Sequence, residues 1–327
     1  AECAGIRNDF PAPGAGKSVK IAPFAGANGP MPMNPPDGCR HRPIRKSLGP
    51  LRATIELALL ILILLIPAST GFAWGSTAHR TVNSLAVDTL PPEMRYFFEA
   101  NRQFLAEHAS DPDQWIQKDP YERKRHYMYL DKYGTFPYLE LPHGFKPATE
   151  KFGSRRINRD GLLPWHVGEY SLRLTKAMKT QKWDEAKLAA AALGHYVADT
   201  RNPLNTSSNF DGQLTQQAGL AERFGAALFD RFQGFMMFRP APAVKIDDPT
   251  EYAFEAVLES HTWVNQIILA DRRAVAGLRD YNDDYYDRFY AAVGTIAARQ
   301  LNNAAHDAGS YWYTAWLNAG RPQLPGR

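Results

Sequence analysis

From Trp74 onward the chain is written in helical period. Apolar residues recur at three- and four-residue intervals through STAHRTVNSLAVDTL and PPEMRYFFEANRQFLAEH, the pattern resumes at Trp165, and another long helical run fills most of 283–309. No segment sustains the β-branched alternation that a strand needs, and neither an internal repeat nor a low-complexity tract follows residue 74. Pro91 and Pro92 punctuate the first helices, while Asp248, Pro249 and Glu251 form an N-cap, first-turn proline and capping-box arrangement ahead of a helix running towards Gly277. Residues 132–160 carry Gly and Pro with little periodicity and read as a long loop, a feature that in a compact domain is often functional. The expected fold is all-α, a compact bundle of about six or seven helices. Residues 74–327 suffice for one domain with a substantial core.

The residues before Trp74 read as processing signal. RHRPIRKSLGPLR is a basic segment, LALLILILLI a ten-residue apolar core, and PASTGFA ends on small residues at Gly71 and Ala73. Ten apolar residues are about half of what a spanning helix requires. Residues 31–73 are therefore expected to be a signal peptide cleaved before Trp74, giving a periplasmic or extracellular product without a transmembrane span. Residues 1–30 form an N-terminal extension of uncertain status. Cys3 and Cys39 both precede the apolar run, so a product starting at Trp74 contains no disulfide. Its stability then comes from packing or metal.

Charge follows the same division. Of the 38 Lys and Arg and 34 Asp and Glu, eight and four respectively precede Trp74, so the two signs balance from there on. A nucleic-acid binder that works by phosphate neutralisation normally shows a basic excess. No basic amphipathic segment after residue 74 argues for adsorption to a membrane.

The most informative stretch is LAAAALGHYVADTRNPLN, residues 188–205. His195 and Asp199 stand four apart among good helix formers, so an imidazole and a carboxylate share one helix face. Leu188, Ala192, His195 and Asp199 follow a 4, 3, 4 spacing, which places the polar pair on the stripe expected to face other helices. A buried carboxylate needs a partner. A satisfied core histidine beside a solvated aspartate is one reading; a shared metal ion is the other. Further potential ligands are Trp74, His79, the ASDPD run at 109–113, and His126 in ERKRHYMYLD. Glu122, Lys124 and Asp131 flank His126 and either orient it or pair with one another. His166, His261 and His306 have no partner at metal spacing and are assigned to surface or hydrogen-bonded core. The aromatic runs at 281–290 and 311–316 are assigned to helix packing.

Taken together, WGxxxH at 74–79, ASxPD at 109–113, HY at 126–127, LPW at 163–165, GHYVAD at 194–199 and PL followed by NFDGQLT at 209–215 resemble the zinc-dependent phospholipase C and single-strand-specific nuclease family. The resemblance implies a bundle of that type. It also implies a two-zinc cluster: one ion held by the amine and carbonyl of Trp74, by His79 and by Asp199, its neighbour by Asp113, His126, His195 and the second oxygen of Asp199. Asp113 and Asp199 are the catalytic carboxylates it implies. Asp113 is preferred to Asp111 because it closes the Ala-Ser-x-x-Asp run, although both could reach the site. Two zinc ions about 3.5 to 4 Å apart can hold a bridging hydroxide as nucleophile. An N-terminal amine must be deprotonated to bind, so removal of the leader would complete the site.

One departure is systematic. Family members with a full site bind a third ion through a His after PL and through a His and an acid four apart, and here those positions hold Asn205, Ala221 and Gly225. An amide with Glu222 or Asp211 displaced from nearby makes a poor zinc set. The expected function is an exported, zinc-dependent hydrolase of phosphate esters with the third zinc site lost. Its substrate would be a phospholipid head group, single-stranded nucleic acid or a small phosphoester, and no protein partner is inferred. The alternatives are a metal-binding but catalytically inactive binding protein of the same fold, and a helical, membrane-tethered protein with no metal.

Overall fold

Helices form where the period of the sequence places them. The structure, a computed structural model, describes residues 74–326; the N-terminal extension, the expected signal peptide at 31–73, and Cys3 and Cys39 lie outside the described residues. Among the described residues there is no strand, only an isolated antiparallel bridge between Met128 and Gly161. No helix among them is long and apolar enough to cross a membrane.

Helix α1 (Ser76–Thr89) buries Ala78, Val82 and Ala86 at four-residue spacing, with Val87 beside them. The next run is broken at Asn101 into α2 (Pro92–Ala100) and α3 (Arg102–Glu107), followed by the single turn α4 (Asp111–Trp115). Residues 132–160, expected to be loop, instead carry α5 (Phe145–Phe152) and α6 (Ser154–Asp160). Two of the glycines in that stretch, Gly144 and Gly153, bracket α5, and Gly153 and the following Gly161 take positive φ angles of 81° and 113°, which only glycine adopts readily. Helices α7 (Leu163–Lys179) and α8 (Trp183–Thr200) form an antiparallel pair. Residues Leu220–Glu222 (α9) and Leu228–Phe232 (α10) are joined by a π-helical turn at Arg223–Ala227.

The N-cap half of the expected capping box forms, with Asp248 Oδ1 accepting from the amides of Thr250 and Glu251, while the Glu251 carboxylate is taken by His143 Nδ1 at 2.8 Å. The helix it starts, α11 (Pro249–His261), stops before Gly277 is reached, and α12 (Val264–Val275) restarts after Trp263. Helix α13 (Asp283–Asn318) is longer than its pattern suggested, at 36 residues. Six helices of at least twelve residues carry the domain, α1, α7, α8, α11, α12 and α13, and shorter helical segments fill the spaces between them.

Helix α8 is the centre of this arrangement, packing against α1, α3, α4, α7, α11 and α13. Every residue from Ala189 to Thr200 is buried. The run of four alanines makes that possible, because small side chains let neighbouring backbones approach from all sides. Leu188 is an exception to the expected stripe. It lies one turn too early and is 45% exposed, where α8 still stands clear of its neighbours. Side chains from elsewhere bond to carbonyls of α8: Trp312 Nε1 to Ala190 at 3.0 Å, Asn83 Nδ2 to Ala191 at 3.0 Å, and Trp74 Nε1 to Ala198 at 3.0 Å. The Asn83 contact requires Gly194, since a Cβ there would lie 1.9 Å from Asn83 Oδ1.

Candidate metal centre

Each ligand candidate is delivered by a different piece of local structure. His79 sits in the first turn of α1, and His195 and Asp199 lie one turn apart on α8. Asp113 comes from α4. His126 follows the 3₁₀ turn Glu122–Arg125 and is held by the chain around it: Leu162 N donates to Lys124 O at 2.7 Å, Leu163 N to Tyr127 O at 3.2 Å, Met128 N to Asn205 O at 3.0 Å and Tyr129 N to Asp160 O at 2.7 Å. Tyr127 O would be 2.1 Å from a Cβ at Gly161, so that glycine lets the His126 segment lie against the turn preceding α7.

These segments converge on Asp199. His126 Nδ1 is 2.9 Å and His195 Nε2 3.3 Å from its Oδ2, while His79 Nε2 is 3.7 Å from its Oδ1. Asp113 Oδ1 approaches from the other side, 3.6 Å from His195 Nε2 and 3.8 Å from His126 Nδ1. His195 Nδ1 donates to the Ala109 carbonyl at 2.8 Å, which leaves Nε2 as the lone-pair nitrogen of the neutral ring and aims it into the cluster. The rings of His79 and His195 stack at 3.9 Å. Asp111 is engaged elsewhere, with Oδ2 2.6 Å from His108 Nδ1, so Asp113 is the aspartate of the ASDPD run that faces the cluster.

Electrostatics follows from this packing. Burial drives the His79 pKa well below that of a free histidine, with His195 adding to the effect. Burial opposes ionisation of Asp199, but the His195 and His126 rings outweigh it and hold the carboxyl below its ordinary range. His126 goes the opposite way: burial lowers it, yet bonding to Asp199 and the charges of Glu122 and Asp113 lift it to about 9. Burial raises Asp113. Glu122, disfavoured as an anion by burial, is brought down to about 2 by His126, Tyr196 and Arg125.

Ligand composition and geometry suit a divalent cation. The candidate atoms of His79, His195 and Asp199 lie within 4.8 Å of one another, and so do those of Asp113, His126 and His195. His79 Nδ1 and His126 Nε2 are buried without a hydrogen-bond partner among the described residues. Imidazole and carboxylate together are zinc ligands. The fit is good for these five side chains. Trp74 is brought to the same place, fully buried, with its indole bonded to Ala198 beside Asp199 and its ring 5.5 Å from that of Phe224.

The positions of the expected third site have a different character. Asn205 Nδ2 donates to Asp199 Oδ1 at 3.0 Å. Asp211, considered as a substitute ligand, accepts from Gly219 N at 2.9 Å and Ala221 N at 3.1 Å and is committed to starting α9. Gly225 O accepts from Gly75 N at 3.4 Å. Residues 221 and 225 were read as one α-turn apart, but the π turn that begins at Arg223 changes that register.

Of Glu122, Lys124 and Asp131, which flank His126 in sequence, only Glu122 reaches its ring. Lys124 lies over the Tyr121 ring and Asp131 accepts from Ser208 N at 3.0 Å. His261 is bonded to Tyr138 and Thr206, and His306 to Ala241 O. His166 is buried with Glu169 3.1 Å from its Nδ1. The Ala109 carbonyl that aims His195 carries no side-chain signal and was not legible in the sequence. At this level the fold and cluster define an all-helical domain with a buried His/Asp group of metal-ligand composition. No family model matches the chain, and no curated protein matches it.

Proposed function

We propose that this protein is an exported, zinc-dependent hydrolase of phosphate esters, related in its fold to the zinc-dependent phospholipase C and single-strand-specific nuclease family. The observation that carries the reading is Asp199, a buried carboxylate with His79 facing one oxygen and His126 and His195 facing the other. A carboxylate in that setting is built to be shared between two cations. His79, Asp199 and the amine and carbonyl of Trp74 would hold one ion, and Asp113, His126, His195 and Asp199 the second. When bound, a zinc pair supplies Lewis-acid polarisation of a phosphoryl oxygen and brings the pKa of water towards neutrality.

The chain's own residues define how substrate would enter. Asp113 and His126 are the most exposed members, their side chains 13% and 11% accessible, whereas His79, His195 and Asp199 are sealed beneath them. Ester therefore arrives from the Asp113 side. Asp113 orients the attacking water and accepts its proton at a carboxylate oxygen. The Ala109 carbonyl and Asn205 keep His195 and Asp199 from turning as charge develops.

The test is made on protein beginning at Trp74. It should contain about two zinc ions per chain and hydrolyse an activated aryl phosphodiester in a chelator-sensitive manner. Zinc near zero, or near three, would overturn this reading. Asn205 favours a second reading, since its amide is spent on Asp199 in the region where a leaving group would need stabilising: a metal-binding protein without turnover. Two zinc ions without hydrolysis across a broad ester panel would select it. N-terminal sequencing of the exported product should return Trp74, and an uncleaved leader would remove both the export proposal and the Trp74 amine ligand.

A further inference from the structure

Glu122 is a buried carboxylate that the proposed zinc set does not use. It is 3% exposed, and each of its oxygens has a partner: Oε1 accepts from the Tyr196 hydroxyl and Oε2 from the Arg125 guanidinium. Oε1 also stands 3.7 Å from His126 Nε2. That is an ion-pair separation, longer than a hydrogen bond. His126 Nε2 is one of the buried polar atoms with no hydrogen-bond partner, while Nδ1 of the same ring faces Asp199 at 2.9 Å and His195 at 3.0 Å.

The chemistry of imidazole connects these facts. A neutral ring that gives the lone pair of Nδ1 to a cation carries its proton on Nε2. In this fold that N–H points at Glu122. Glu122 Oε1 has a second lone pair beyond the one taken by Tyr196, so it can accept without losing its existing partner. Closing from 3.7 Å to an ordinary N–H···O distance takes a shift of roughly 0.5 to 1 Å, which ring rotation supplies.

We propose that Glu122 is a positioning residue for His126, accepting a hydrogen bond from Nε2–H and so fixing the tautomer that presents Nδ1 to a bound cation. Tyr196 makes the assignment more than local. It follows His195 on α8, so the helix that carries His195 and Asp199 also holds the carboxylate that aims His126. Three ligands are thereby registered to one another through side chains that never touch the cation. The proposal rests on the zinc reading above and adds to it which nitrogen of His126 binds and what keeps it there.

The experiment uses protein beginning at Trp74 and zinc as the probe. Glu122→Gln keeps the size of the side chain and a partner for Tyr196, and should lower zinc affinity about 10- to 100-fold in chelator competition while the helical circular dichroism is unchanged. Tyr196→Phe, which leaves Glu122 in place but less constrained, should lose less. In wild-type protein labelled with ¹⁵N at histidine and loaded with zinc, His126 should show a protonated Nε2 and a metal-bound Nδ1. If Glu122 only serves the packing of Tyr196 and Arg125, both variants melt earlier and zinc affinity stays within about threefold of wild type, which overturns the proposal. A zinc-loaded His126 protonated at Nδ1 overturns it without any variant. Wild-type protein that binds no zinc overturns the metal reading as well, so the two failures are distinguishable.

Discussion

Two neighbouring regions of this molecule treat their polar groups in opposite ways. Around Asp199 the groups converge with more acceptors than donors: two carboxylates and the lone pair of His195 meet, and the donors within hydrogen-bonding distance are His126 Nδ1 and Asn205 Nδ2. A few residues away the Asn205 amide is bonded to Asp199, the Asp211 carboxylate to the amides that open α9, and the Gly225 carbonyl to Gly75. The first region has the ligand composition of a metal site. The second is closed. The difference teaches that two adjoining polar regions of one fold can differ in whether their groups are spent on one another or left facing a shared centre.

The largest expected effect falls on the first region. Asp199→Ala removes the carboxylate faced by three imidazoles, and zinc content should drop from about two ions per chain to near zero by elemental analysis. Retention of both ions would show that Asp199 is not shared. Next is the chain start: one residue added before Trp74 turns its amine into a neutral amide nitrogen, and one of the two ions should be lost while the other stays. Loss of both, or of neither, would mean that the two ions do not divide their ligands as proposed.

Two further substitutions probe the packing of each region. Gly194→Ala places a methyl group where Asn83 Oδ1 already sits, 1.9 Å away, and should destabilise the fold by on the order of 1 to 3 kcal/mol in denaturant unfolding. An unchanged midpoint would show that Asn83 can move aside at little cost. Asn205→His, Ala221→His and Gly225→Glu combined would rebuild the third ligand set on paper. The structure argues against success, because the π turn shifts the register of 221 and 225, and Gly75 is tightly packed here, where an added Cβ would lie 2.8 Å from that of Ala226. The triple variant should bind no third ion, and a third equivalent of zinc in a folded variant would show that this region is less closed than it looks.

The smallest effect concerns a histidine outside both regions. Burial lowers the His261 pKa against a raising contribution from Thr206, so the folded state takes up its proton less readily than the unfolded chain. The stability His261 contributes is therefore full above the unfolded pKa of about 6.5 and is lost as pH falls below it towards the folded value. His261→Gln should flatten the decline in unfolding midpoint between neutral and mildly acidic pH. An identical decline in the variant would assign the pH dependence to other groups.

How much of this was legible in the sequence depends on whether the information lies in side-chain pattern or in backbone geometry. Helical period located the long helices except that it read α11 and α12 as one, and the type and order of polar residues brought out His79, Asp113, His126, His195 and Asp199, which the fold then gathers. What pattern missed is set by the backbone. The π turn at Arg223–Ala227 leaves no mark in residue spacing, and Gly153 and Gly161 announce loop and helix end in the same letters. Leu188 was misplaced because a stripe continues in sequence beyond the point where neighbouring helices cease to cover it.

The packing of α1 against α13 has a consequence in time. The helix that delivers His79 is the first of the described chain, and the helix it rests on is the last. Contacts between distant parts of a sequence form late, since a long loop must close before they stabilise anything. A chain emerging from its N-terminus therefore exposes His79 long before the support for α1 exists. Metal capture at the proposed site would therefore wait until α13 has docked, since before then His79 is not held against Asp199 and His195.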